Sequence, residues 1–208
     1  MLKVLLINGS PHEKGCTNRA LQEVASAIEA EGIATEIFHI GQKAIAGCIA
    51  CGYCSVKGEC VSDGDGLNEL LGRLEDYAGV VIGSPVYYAG PNGNLLSFLD
   101  RLFYAGSEKL AGKPGAAVVS CRRSGTTASF DRLNKYFTIS SMPVVSSSYW
   151  NGVHGNCAEE VEEDLEGLHT MRTLGRNMAW MIKCFEAGKA IGIEFPEPEP
   201  KPFTNFVR

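Results

Sequence analysis

Hydrophobic and polar positions along the chain switch between two periods, and each switch marks an element boundary. Residues 2–7 form an apolar run of strand length, interrupted only by Lys3, which reads as a parallel strand buried on both faces. After a loop of Gly, Ser, Asn and Pro the pattern turns helical. Thr17 stands as the N-cap, and Leu21, Val24, Ala25 and Ile28 recur on one face. Residues 34–40 alternate and are β-branched, the mark of a second strand nearer a sheet edge. A helix is expected over 66–76, with Leu67, Leu70, Leu71 and Leu74 inward, and then a buried third strand over 79–84. Next come a helix carrying Leu95, Phe98, Leu99 and Leu102, a fourth strand over 114–121 and a helix around 128–137. A fifth strand over 143–148 and one long helix over 159–187 complete the pattern.

Strands alternating with helices predict a doubly wound α/β fold. A chain of this length without the dinucleotide fingerprint favours the flavodoxin-like three-layer sandwich, a five-stranded parallel sheet in the order 2-1-3-4-5. Ligands of such sheets sit beyond the carboxyl ends of the strands, where the order switches. The loops 8–17, 84–94 and 121–127 all emerge there. Residues 1–192 read as one domain with a cysteine-rich insertion at 47–62. The tail, 193–208, has prolines at every second position from Pro196 to Pro202 and reads as extended chain. Phe203 and Phe206 are its candidate anchors on a neighbouring subunit.

Composition narrows the partners. A net charge of −5 with no basic cluster argues against nucleic acid. No apolar run reaches transmembrane length, and the opening residues read as a core strand rather than a signal peptide. The expected location is therefore cytoplasmic, with no membrane partner. There the eight cysteines should be reduced thiols, so clustered ones point to metal before disulfide.

The opening loop carries the first chemistry. A strand that feeds small residues into a helix N-terminus holds an anion, because first-turn N–H groups have no intrahelical partner. Ser10 and Thr17 add hydroxyls, while His12 and Lys14 are weakly placed cations and Cys16 lies at the helix start. Neither the triphosphate P-loop nor the dinucleotide glycine pattern is present. One terminal monophosphate held by neutral donors, the situation of FMN, suits these residues; an ordinary βα loop with a Ser/Thr cap is the bland alternative. The second loop, from Ser84 to Pro91, offers Pro85, Val86, Tyr87 and Tyr88 as a flat apolar surface, and Gly90 lets the backbone turn close to a ring. In the third loop lie Cys121, Arg122, Arg123 and Gly125. Its arginines suit a reduced anionic flavin or a nicotinamide cofactor's phosphate, or they are solvated loop residues.

The patterns G-S-P-x-x-x-G-x-T-N and S-P-V-Y-Y-x-x-P resemble the NADPH-dependent FMN reductase family of flavodoxin-like proteins, over residues 2–185. The resemblance implies FMN, with Ser10, Thr17 and Asn18 at the phosphate and Pro85, Val86, Tyr87 and Gly90 at the ring. His12 stands where many members carry arginine.

Cys48, Cys51, Cys54 and Cys60 form C-x2-C-x2-C-x5-C, whose first three members share the compact spacing of bacterial ferredoxins. A [4Fe–4S] cluster is favoured over zinc, which usually takes two separated knuckles. A vestigial or disulfide-forming loop is the other alternative. The motif resembles that of the iron–sulfur flavoproteins, which implies an oligomer bringing the cluster towards a neighbour's flavin. Within one chain, strands ~4.8 Å apart would set the cluster on the order of 10–15 Å from the flavin. Tyr149, Trp150, Asn151 and His154 follow the fifth strand and either edge the pocket or form a packed corner. The expected activity is an FMN-dependent oxidoreductase, joining NAD(P)H or ferredoxin to a small-molecule or redox-protein acceptor, as a homodimer or homotetramer. A pure flavodoxin-like electron carrier is the alternative.

Overall fold

The computed structural model describes residues 1–200, 202 and 204. Its central sheet contains strands β1 (Lys3–Asn8), β2 (Ala34–His39), β3 (Gly79–Tyr87), β5 (Gly115–Cys121) and β6 (Gly152–His154). They lie in the order β2-β1-β3-β5-β6, all parallel. A two-residue strand, β4 (Gly90–Pro91), folds back antiparallel on the end of β3. With that arm set aside, the order is the 2-1-3-4-5 of the flavodoxin-like fold.

The strand residues divide between two cores because successive side chains point to opposite faces. Leu5, Ile7, Val80, Ile82 and Val119 face α3 (Leu67–Gly72), α4 (Gly93–Gly106) and α5 (Thr126–Ile139). Val4, Leu6, Val81, Val118 and Val153 face α1 (Cys16–Glu29) and α7 (Leu165–Ala190). β2 is half-buried throughout, as its alternation and edge position require. Its Glu36 pairs with Lys3 and Arg73.

Three sequence expectations need correction. Helix α1 starts at Cys16 with Gly15 as its N-cap, and Gly15 O accepts from Arg19 N–H at 3.0 Å. Thr17 does not cap because its hydroxyl bonds Ser120 instead. The fifth strand is not 143–148. That segment makes one bridge, Val144 to Gly115, and leaves the sheet over three serines. Ser147 Oγ donates within the turn, towards Tyr149 O or Asn151 Oδ1, both at 2.6 Å. Asn151 then brings the chain back: its Nδ2 donates to Ala117 O at 3.0 Å and its carbonyl accepts from Val119 N–H at 2.9 Å. The long helix is broken into α6 (Ala158–Val161) and α7, because Asp164 caps α7 by accepting from Gly167 N–H at 2.9 Å.

The cysteine segment holds a short helix, α2 (Tyr53–Lys57), with left-handed glycines at either end. In the tail, Phe195 covers Gly112. Phe203 and Phe206 lie outside the described residues. Among the described residues, no helix is long and apolar enough to cross a membrane.

Candidate functional site

The opening loop is shaped by its own polar side chains. Ser10 N–H donates to Asn8 Oδ1 at 3.1 Å, and Ser10 Oγ accepts from His12 N–H at 3.1 Å. From outside, Gln42 Nε2 donates to Pro11 O at 2.9 Å, and His39 Nε2 lies 2.7 Å from Ser10 O. These bonds leave Ser10 and Thr17 buried at the base of a cavity of about 670 Å³. The third loop reaches the same floor, where Thr17 Oγ1 and Ser120 Oγ lie 2.8 Å apart. Helix α1 can approach this closely because Gly83 lies beneath it. A Cβ there would stand 2.8 Å from Leu21 Cδ1 and 2.9 Å from Thr17 Cγ2.

The cavity brings together much of the predicted set: Ser10, His12, Cys16 and Thr17 from the first loop, Pro85, Val86 and Tyr87 from the second, Cys121 and Arg122 from the third. Asn18, Tyr88, Gly90 and Gly125 lie outside its lining. Asn18 Oδ1 accepts from Asn8 Nδ2 at 3.5 Å, and Tyr88 is fully exposed at the tip of the arm. Gly125 sits behind the arm with φ +93°, where a Cβ would meet Val86 Cγ1 at 2.8 Å.

Several lining residues carry no sequence signal. Gln42 follows β2, and Asn156 to Glu159 enter α6. Tyr149, Trp150 and His154 line a neighbouring cavity of about 380 Å³ along the β6 edge, whereas Asn151 is buried in its sheet role. Burial pushes the Cys16 and Cys121 thiols up, so both are neutral at neutral pH. Cys16 Sγ donates to Gly155 O at 3.4 Å. A neutral Cys16 thiol at the start of α1 does not compete with an anion for its dipole.

Cys48, Cys51, Cys54 and Cys60 are free thiols that line one cavity of about 150 Å³, with Arg101 and Tyr104 of α4 as its floor. Cys54 Sγ donates to Tyr104 O at 3.8 Å. Cys48 and Cys51 are exposed. Among the described residues, no three His, Cys, Asp or Glu side chains converge closely enough to hold a metal ion.

This architecture, with an anion-suited loop at the switch between β1 and β3, defines a flavodoxin-like protein. Residues 2–156 match the NADPH-dependent FMN reductase family model. The sequence is 31% identical over 195 residues to an iron–sulfur flavoprotein of Methanocaldococcus jannaschii, covering 89% of this chain and 100% of the relative. It is 25% identical over 193 residues to an iron–sulfur flavoprotein of Methanosarcina thermophila, covering 90% and 99% of the two chains. Two solved structures share the fold. RosB, bound to 8-demethyl-8-formylriboflavin-5'-phosphate, gives a TM-score of 0.70 at 15% identity over 100% of this chain and 94% of RosB. A WrbA-like flavodoxin of Agrobacterium tumefaciens gives 0.59 at 17% over 88% and 97%. The chain belongs to the NADPH-dependent FMN reductase family, in its iron–sulfur flavoprotein branch, and is a flavin-dependent oxidoreductase.

Proposed function

We propose that this chain binds FMN in the large cavity, carries a [4Fe–4S] cluster on the cysteine loop, and passes electrons from NAD(P)H or ferredoxin to a small-molecule or redox-protein acceptor. The observation that carries the reading is the cavity itself, where the opening loop, Pro85 to Tyr87 and Ser120 to Arg122 meet.

The donor set fits FMN. The phosphate would rest on the first-turn amides of α1 and the Ser10 and Thr17 hydroxyls, neutral donors suited to a single monophosphate. The ring would lie along Pro85, Val86 and Tyr87, and Arg122 would face charge developing on the reduced flavin. The flavin supplies storage of a hydride's two electrons and their release singly. His12 and Lys14 lie at the cavity wall and offset the two acids there, Glu13 and Glu159.

For the cluster, four free thiols around one cavity match the ligand number and softness that iron–sulfur centres need. The chain's task is to bring them together: Ala50, Gly52 and Gly58 hold positive φ, so the loop turns sharply between successive cysteines. Homodimer or homotetramer formation would complete the assembly, consistent with exposed Ile49, Val56 and Tyr104 around the loop.

The test is anaerobic. Protein purified without oxygen should show flavin and iron–sulfur absorbance, with about four irons per chain, and NADPH or NADH should bleach the flavin band. Bleaching by reduced ferredoxin alone would favour a carrier without small-molecule turnover. Stoichiometric zinc with no iron uptake would leave a plain flavin reductase.

A further inference from the structure

Arg101 is a charged residue on the buried face of α4, only 2% exposed. A guanidinium in that position carries a heavy desolvation cost unless each of its donors is met. All three nitrogens are engaged. Nη1 bonds the Asp65 carboxylate and reaches Ala46 O at 3.4 Å, while Nη2 donates to Ser62 O at 2.6 Å. Nε donates to Cys60 Sγ at 3.1 Å.

Cys60 is held from a second side. Its N–H donates to Asn68 Oδ1 at 2.8 Å, and its carbonyl accepts from Asn68 Nδ2 at 3.0 Å. Backbone and sulfur are thus both fixed, whereas Cys48 and Cys51, which line the same cavity, are exposed. Cys60 is the thiol held at most points; Cys54 lies on α2 with its Sγ donating only to Tyr104 O at 3.8 Å.

The geometry points to Arg101 as a positioning residue that fixes Cys60 as the anchoring ligand and sets the reduction potential of the cluster through its N–H···S bond and charge. This rests on the assignment of the cysteine loop to an iron–sulfur cluster. An electron added to a cluster adds negative charge, and a buried cation donating to a ligand sulfur favours that state. Asp65 opposes it by neutralising the same guanidinium. The two residues should therefore act on the potential in opposite directions, which mere disturbance of the loop would not produce.

The experiment uses the full chain with FMN, reconstituted anaerobically with iron and sulfide, as wild type, Arg101→Gln and Asp65→Asn. Flavin content and iron per chain are measured first, and the cluster potential then follows by redox titration monitored by EPR. Arg101→Gln should make cluster reduction at least tenfold less favourable, a fall of about 59 mV for one electron. It should also release iron to a chelator several-fold faster. Asp65→Asn should make reduction several-fold more favourable. Unchanged potentials in variants that hold wild-type iron, or shifts in the same direction, would overturn the role of Arg101 while leaving the cluster assignment intact. Wild-type protein that takes up no iron would instead remove the assignment, and the inference with it. If Arg101→Gln loses its FMN as well, Arg101→Lys and Asp65→Asn decide. Lysine keeps the charge without the fork, so its potential should stay within about 59 mV of wild type while iron is released several-fold faster, and a lower or unchanged potential in Asp65→Asn sinks the idea.

Discussion

The hydroxyls of Thr17 and Ser120 lie 2.8 Å apart and are both buried, joining the first turn of α1 to the end of β5. β1 and β5 are not neighbours in the sheet, since β3 lies between them. The pair therefore ties two loops that line the cavity together across the middle strand.

Thr17→Val removes one hydroxyl and leaves Ser120 without that partner. FMN binding should weaken by about 1–3 kcal/mol, the cost of losing a hydrogen bond to a charged group. A flavin titration of apoprotein measures this, and unchanged affinity would take Thr17 out of the site.

The arm from β3 to β4 turns through Tyr88 and Ala89, at φ +50° and +58°. Both central residues of this two-residue hairpin adopt a conformation natural to Asn-Gly rather than to side chains with a full Cβ penalty. Ala89→Gly should relieve strain and stabilise the fold by about 1 kcal/mol, read as a higher denaturant midpoint at unchanged slope. A lower midpoint would mean that the Ala89 methyl contributes more through packing than its backbone costs.

Gly125 combines a left-handed φ with a neighbour that leaves no room for a side chain. In Gly125→Ala the new methyl would meet both Val86 Cγ1 and Ala89 Cα within 3 Å, at 2.8 and 2.9 Å. The third loop and the arm should move apart, with FMN weakened by about 2 kcal/mol or more, since strain and overpacking each cost ~1–3 kcal/mol. Wild-type flavin affinity in a folded variant would show that the arm moves freely.

Glu23 joins α1 to α7 by receiving Arg19 and Arg172. Burial alone would raise its pKa, but hydrogen bonds from Arg172 and Arg19 outweigh it and hold the carboxyl below its ordinary value of 4.5. A depressed carboxyl contributes stability above its unfolded pKa, and that stability is lost as pH falls through the folded one. Unfolding free energy should thus decline on the acid side of 4.5. Glu23→Gln should cost about 1–2 kcal/mol at neutral pH and flatten the acid limb. An unaltered limb would assign the acid loss to other carboxylates.

The sheet and its order were legible because Val4 to Ile7, Val80 to Ile82 and Ala116 to Val119 are strongly apolar runs, each in a chain position that the helical pattern brackets. The fifth strand was misplaced for a physical reason. Pro143 to Val145 has the β-branched composition of a strand, but Ser147 then bonds its own turn, and the pairing passes to Gly152 and Val153, which look like loop. Thr17 as a cap failed similarly, since a hydroxyl at a helix start takes the best partner in space, here Ser120. Within the candidate site, loop residues next to strand ends could be read. Gln42 and Asn156 to Glu159 could not, because only the fold brings them to the cavity. The cysteine spacing pointed to a candidate ligand set, yet nothing local marks Arg101, which meets Cys60, 41 positions earlier, only because α4 lies under the cysteine segment.

Helix α4 begins at the foot of the arm, capped by Asn92, and ends beneath the cysteine cavity. From Gly93 to Arg101 it advances about 12 Å, at ~1.5 Å per residue. It would set the spacing between the arm, which flanks the proposed flavin site, and the proposed cluster site. Changes in the flanking loops would tune either centre alone, while the interval between them follows the helical rise. A single residue inserted before Arg101 would lengthen that interval only slightly but swing the guanidinium by about 100° around the axis, away from Cys60. The interval from the arm to Arg101 is thus pitch-locked, and it can be lengthened without losing the Cys60 contact only by about whole helical turns.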